Sequence, residues 1–207
     1  MLRRLCAPLV VGLAGLMALA GCQSGGAAPP VLPSPPPVED DSEGGEAASP
    51  SAAGAFEVAL DLGGLRLVDP QTGSTRPVAF GDAEGAVVRA VARSAGEPAE
   101  RGVNDECGAG PLSYASWSDG LTLWFSDGAF AGWAVDGRSS GSERLTTMTG
   151  LGIGATRADL DRAYAADVGP SSLGTEFAAG DLGGVLDGSG PGARVTDLWG
   201  GTTCAFR

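Results

Sequence analysis

The hydrophobic pattern divides the chain into an apolar leader, a stretch without periodicity, and a long region where two periods alternate. After Phe80-Gly81, small or apolar residues fall at Ala83, Ala86, Val87, Ala90, Val91 and Ser94, and the pattern stops at Gly96. After Ile153-Gly154 they fall at Leu160, Ala163 and Tyr164, continue to Asp167, and stop at Gly169, with the same interval from opening to closing glycine. Spacings of three and four predict a helix with one buried face in each place. Asp82 is the candidate N-cap of the first, and Thr156 with Asp159 makes a capping-box pair in the second. Gly96 and Gly169 suit the left-handed position that ends a helix.

Between and around these segments the period changes to two. Leu121–Phe125 and Phe130–Val135 read as strands joined through Ser126-Asp127-Gly128-Ala129, because an Asp-Gly pair supplies the positive φ angles of a type I′ hairpin turn. Leu65–Val68 and Arg76–Phe80 flank the turn Asp69-Pro70-Gln71-Thr72-Gly73. Asp187-Gly188 stands as a possible turn before Ala193–Trp199. In the central hairpin Leu121, Leu123, Phe125 and Phe130 form a core face. Thr122, Trp124, Ala131, Trp133 and Val135 form the opposite one. That arrangement makes Trp124 and Trp133 diagonal neighbours, and they line an open surface unless a loop, a helix or the tether packs over them. Trp117 and Trp199 have no assigned place.

The leader changes the picture from fold to address. Arg3 and Arg4 precede an uncharged run, Leu5–Ala20, which is shorter than the ~20 residues of a spanning helix and typical of a signal peptide. It ends in Leu19-Ala20-Gly21-Cys22, which resembles the lipobox of bacterial lipoproteins at all four positions. The resemblance implies cleavage before Cys22 and acylation of Cys22, giving a membrane anchor outside the cytoplasm. Gln23 in the next position points to the outer membrane, facing the periplasm, if the cell has one. Residues 23–54 are rich in proline and acids, with no base and no aromatic, and cannot bury enough apolar surface to order themselves. The organisation expected is therefore a signal peptide (1–21), a lipidated cysteine and disordered tether (22–54), and one folded domain (55–207).

Composition removes much chemistry. The 207 residues include no histidine, and all 13 basic residues are arginine, against 25 acids and a net charge of −12. Ser-His-Asp and Cys-His nucleophile pairs, imidazole metal sites, lysine Schiff bases and Walker-type phosphate loops are excluded. An acidic chain also argues against nucleic acid, which needs a basic surface. No cofactor is expected. Four Asp-Gly pairs, at 119, 127, 136 and 187, lack the spacing of a calcium loop and read as turns.

The helix entries Phe80-Gly81-Asp82-Ala83-Glu84 and Leu151-Gly152-Ile153-Gly154-Ala155-Thr156-Arg157-Ala158-Asp159-Leu160, with Gly96-Glu97-Pro98 closing the first, resemble small envelope lipoproteins of the BamE/SmpA type. The duplicated plan is similar to that of the β-lactamase inhibitor proteins. What the resemblance implies is an α+β fold, a tandem repeat of helix plus antiparallel β units (about 55–138 and 145–207), with helices packed on one face of a curved sheet. It implies no catalytic residues, and a partner seated on the concave sheet face.

Cys6 leaves with the signal and Cys22 is acylated, so Cys107 and Cys204 remain. In an oxidising compartment an even pair reads as one disulfide; two free redox thiols are the alternative. The function expected is a non-catalytic envelope lipoprotein that binds a protein partner through the sheet face of Trp124, Trp133 and Thr122, or through its acidic surface. A hydrolase inhibitor, a cell-wall carbohydrate binder, and a carboxylate-dependent hydrolase using Asp105, Glu106, Asp119 or Asp127 are the competing readings.

Overall fold

The computed structural model describes residues 56–204, all within one compact unit. The signal-like segment, Cys22 and the tether lie outside them. The chain opens with three strands, β1 (Glu57–Asp61), β2 (Gly64–Val68) and β3 (Thr75–Ala79), paired in that order as an antiparallel sheet. Helix α1 (Glu84–Ala95) follows, then the antiparallel meander β4 (Glu100–Asn104), β5 (Leu112–Ser116), β6 (Leu121–Ser126) and β7 (Ala129–Asp136). A 3-10 turn at Ser142–Arg144 and the short helix α2 (Arg157–Ala163) lead to a second meander, β8 (Asp167–Ser171), β9 (Gly174–Ala179), β10 (Leu182–Leu186) and β11 (Val195–Gly201). The two meanders join edge to edge through β7 and β11, giving an eight-stranded sheet in the order β4-β5-β6-β7-β11-β10-β9-β8.

This architecture overturns the α+β expectation. The fold is largely β, with 46% strand against 15% helix among the described residues, so tandem helix-plus-strand units packed on a sheet do not describe it. Helix α1 contributes Val87, Val88 and Val91 to the core, but α2 is only 7 residues long and buries Leu160 alone. The first sheet buries Leu60, Leu65, Leu67 and Val78 in the same apolar cluster as the core face of the large sheet. Strand pairing, not helix packing, therefore supplies much of the covering layer. The physical reason that the second helix is short lies before Gly169. That glycine sits inside β8 opposite Glu176, and the second helix ends earlier because Tyr164 is already extended.

Local signals explain the elements that do form. Thr156 and Asp159 make a reciprocal capping box that starts α2. Gly96 ends α1 with φ +80°, its N–H donating to the Ala92 carbonyl. Asp82 does not cap α1, because its carboxylate accepts from the Ala79 N–H and Ala83 takes the cap position. Asp127 (φ +50°) and Gly128 (φ +76°) close the β6–β7 hairpin. Asp69 accepts from the Gln71 and Thr72 N–H groups at 2.8 and 3.1 Å and so folds the β2–β3 turn.

Glycines at 102, 183, 184 and 200 are slots for rings. A Cβ at Gly102 would come within 2.9 Å of the Tyr114 ring, and one at Gly183 within 2.4 Å of the Trp199 indole. On the core side a Cβ at Gly184 would meet the Phe177 ring at 2.5 Å, and one at Gly200 the Trp133 ring at 2.7 Å. Each aromatic side chain thus lies flat across a neighbouring strand, which is how glycine-rich strands still close-pack.

Candidate functional site

The face of the large sheet turned away from the core is fixed by strand register. Leu121, Leu123 and Phe125 are fully buried, so Thr122 and Trp124 point outward. Register carries this face to Tyr114 and Ser116 on β5, Gly132, Ala134 and Asp136 on β7, Asp197, Trp199 and Gly201 on β11, and Gly183 and Val185 on β10.

Trp133 does not belong to this face. Phe125 pairs with Phe130, but Trp124 pairs with Gly132, so Ala131 is an extra residue in β7. One inserted residue turns every later side chain over. Trp133 and Val135 therefore point into the core. Trp133 is fully buried and its Nε1–H donates to the Asp61 carbonyl at 2.9 Å. The bulge is fixed from outside by the Thr202 N–H, which donates to the Ala131 carbonyl at 2.8 Å. Trp117 is also a core residue, its Nε1–H donating to the Gly96 carbonyl at the end of α1.

The indole that does share a face with Trp124 is Trp199. It pairs with Ala134, two strands from Trp124 and one row along, which places the two backbones roughly 10 Å apart laterally across β7, with the Trp199 ring lying over Gly183 on the far side of β11. Between them runs a groove of about 420 Å³, lined by Thr122, Trp124, Ala134, Val185, Asp197 and Trp199 among others. It crosses the seam of the two meanders. Trp124 is braced by Tyr114, whose ring centroid lies 5.6 Å away. Tyr114 is held in turn by its O–H donating to Glu100 at 2.6 Å and by the Gly102 slot. The Glu100 hydrogen bond raises the Tyr114 hydroxyl above its ordinary range. Thr122 donates to Ser116 Oγ at 3.2 Å, which ties the floor together. Trp124 Nε1 is shielded and has no hydrogen-bond partner among the described residues.

One end of the groove is charged. Asp136 and Asp197 stand directly opposite each other on β7 and β11. Arg138 binds Asp136 in a fork, Nε to Oδ1 at 3.0 Å and Nη2 to Oδ2 at 3.1 Å. This pairing holds the Asp136 carboxyl below its usual range, against the opposing effect of burial. Asp197 acts on Arg138 through space, together with Asp136, and both raise the guanidinium pKa.

The other end is formed by Thr203 and Cys204. The Cys204 sulfur accepts from Asn104 Nδ2 at 3.3 Å, and Cys107 and Cys204 are both thiols. Burial first, and then the hydrogen bond with the Cys107 thiol, push the Cys204 thiol up to about 11. Cys204 is therefore protonated at neutral pH and a poor nucleophile.

The acids named as candidate catalysts are not brought together with one another at the groove. Asp105 and Glu106 are exposed in the turn after β4, where the Glu106 N–H donates to the Asn104 side chain. Asp119 accepts from the Leu121 N–H, and Asp127 occupies the hairpin turn. Among the described residues no three acids or cysteines are grouped so as to hold a metal.

No protein-family model, no curated protein and no solved structure matches the chain. The site is therefore read from its own chemistry. Sequence reasoning missed Trp199, Tyr114, Asp136, Asp197 and Arg138. Placing them needs the β7–β11 pairing, which links residues far apart in the chain. The local signal that was present is the two glycine pairs, Gly183-Gly184 and Gly200-Gly201, whose missing side chains leave room for rings.

Proposed function

We propose that the protein is a membrane-anchored envelope lipoprotein, acylated at Cys22, whose folded domain binds another protein without catalysing a reaction. The observation that carries this reading is the groove across the seam of the large sheet, walled by Trp124 and Trp199. Tryptophan is favoured at binding hot spots because it combines a large apolar ring with one polar N–H. Both indoles are held by neighbouring groups, so little ordering entropy remains to be lost when a partner docks. The tether between Cys22 and β1 gives the domain reach from the membrane while leaving it anchored.

The test is capture in the native membrane. A photoreactive residue at Thr122, in the groove floor, is expected to crosslink one specific envelope protein, and Trp124→Ala with Trp199→Ala is expected to abolish capture while the domain stays folded. Absence of any specific product from a folded, membrane-displayed protein overturns the binding reading. Acyl labelling that survives Cys22→Ser overturns the anchor.

A further inference from the structure

We infer that the groove between Trp124 and Trp199 receives a basic side chain, arginine or lysine, presented by the protein partner. This rests on the binding reading above and names the chemistry of what is bound.

The charges on the outward positions of the large sheet are one-sided. Register places Glu100, Asp136, Asp167, Glu176 and Asp197 on that face. Arg101 on β4 pairs with Ala115 and so belongs to the other side. Arg138, just beyond β7, supplies a cation at the groove and is engaged by Asp136 in a bidentate pair. Asp197, directly across from Asp136, receives no hydrogen bond of its own from Arg138 and meets it only through space. Like charges facing each other across two strands destabilise a sheet. A second cation entering the groove would relieve this repulsion.

The walls fit the same guest. A guanidinium or ammonium group is attracted to an indole face, tryptophan being the strongest of the aromatic partners. Trp124, Trp199 and Asp197 line the same groove; Trp199 is only 8% exposed, so the aliphatic stem of the side chain lies chiefly along the half-buried Trp124 while its head reaches the carboxylate. The volume of about 420 Å³ lies in the range of small ligand pockets, about 300–1,000 Å³. Other occupants fit less well. An anionic ligand meets repulsion, and a second copy docked face to face would oppose the same carboxylates. The chain's overall charge of −12 favours encounter with a basic partner at long range.

The full-length protein in detergent is titrated with a blocked peptide of alternating arginine and serine, and with the same peptide carrying the neutral isostere citrulline. Tryptophan fluorescence reports occupancy of the groove. The arginine peptide is expected to saturate, with the citrulline peptide at least tenfold weaker. Asp197→Asn is expected to weaken arginine binding at least fivefold, whereas Asp69→Asn, which removes the same charge from a turn away from the groove, leaves it unchanged. Equal binding of the two peptides overturns the proposal. Equal weakening by the two substitutions also overturns it, because attraction would then be general. If the Thr122 crosslinker captures a partner through a segment without arginine or lysine, or if a cell-wall glycan binds in place of the peptide, the cationic guest is wrong. The first of those results leaves the protein-binding reading intact, so the two failures are distinguishable.

Discussion

Trp124 and Trp133 differ in what their indole N–H groups meet, and this difference sets how each tolerates change. The Trp133 N–H is bonded to Asp61 and its ring fills the slot at Gly200 in the middle of the core. Trp133→Ala leaves a large cavity and an unpaired carbonyl, and is expected to lower unfolding free energy by about 3–5 kcal/mol, a large share of the roughly 5–15 kcal/mol typical of a domain. The Trp124 N–H has no partner among the described residues, and a buried unpaired donor costs about 1–3 kcal/mol. Trp124→Phe keeps much of the ring contact with Tyr114 and removes that donor. It is expected to be neutral or stabilising in urea denaturation, while Trp133→Ala shifts the midpoint sharply downward. A loss above about 2 kcal/mol for Trp124→Phe would show that its N–H is bonded after all.

At the scale of elements, the two strands of the central hairpin show how far local pattern reaches. The Asp127-Gly128 turn and the pairing of Phe125 with Phe130 follow from nearest-neighbour rules, and both are present. The bulge at Ala131 does not follow from strict alternation, and alternation alone sends Trp133 outward. A trace of it is visible in hindsight, because the core residues Phe130, Trp133 and Val135 are spaced three and then two apart. The strands β8, β9 and β10 were hidden for a different reason. Their glycines depress strand propensity, yet those at 183 and 184 are needed so that Trp199 and Phe177 can lie across them. Helix α2 was legible because its cap is written within four residues. Asp159 is held at about 2, below an ordinary 3.8, chiefly by the Thr156 hydroxyl and also by Arg162. A depressed folded-state pKa means that the contribution is complete above about pH 4 and is lost as pH falls toward 2. Thr156→Ala is expected to cost about 1 kcal/mol at neutral pH. Below about pH 4 the gap between variant and wild type should narrow, as read from denaturation midpoints measured across that range. A gap independent of pH would show that the carboxylate plays no part in the cap.

At the scale of the whole molecule, the order of the large sheet brings the end of the described chain back to its first meander. Strand β11 pairs with β7, and Gly201, with φ +69°, turns the chain so that Thr202 binds Ala131 and Cys204 reaches Asn104 and Cys107. The same segment closes one end of the groove, so its attachment bears on both stability and binding. If the domain lies outside the cytoplasm, as proposed, the two thiols are expected to be oxidised, each losing a proton and an electron as the Cys107–Cys204 bond forms and a disulfide-bearing oxidant is reduced to two thiols. Because Cys204 is held protonated, with its thiol at about 11, its own attack on a disulfide at neutral pH should be slow. The bond would close a loop of nearly 100 residues, which in the chain-entropy model raises stability by up to about 4.7 kcal/mol and in practice by about 2–4 kcal/mol. Protein isolated from its native cells without reductant should therefore show the mass of the oxidised pair and unfold at a higher temperature than after reduction. Cys204→Ser should unfold like the reduced protein and be insensitive to reductant. If the isolated protein carries two alkylatable thiols at these positions, the strap is held by hydrogen bonds alone. In that case Asn104→Ala, rather than reduction, should loosen it and change the fluorescence of Trp124 and Trp199 beside it.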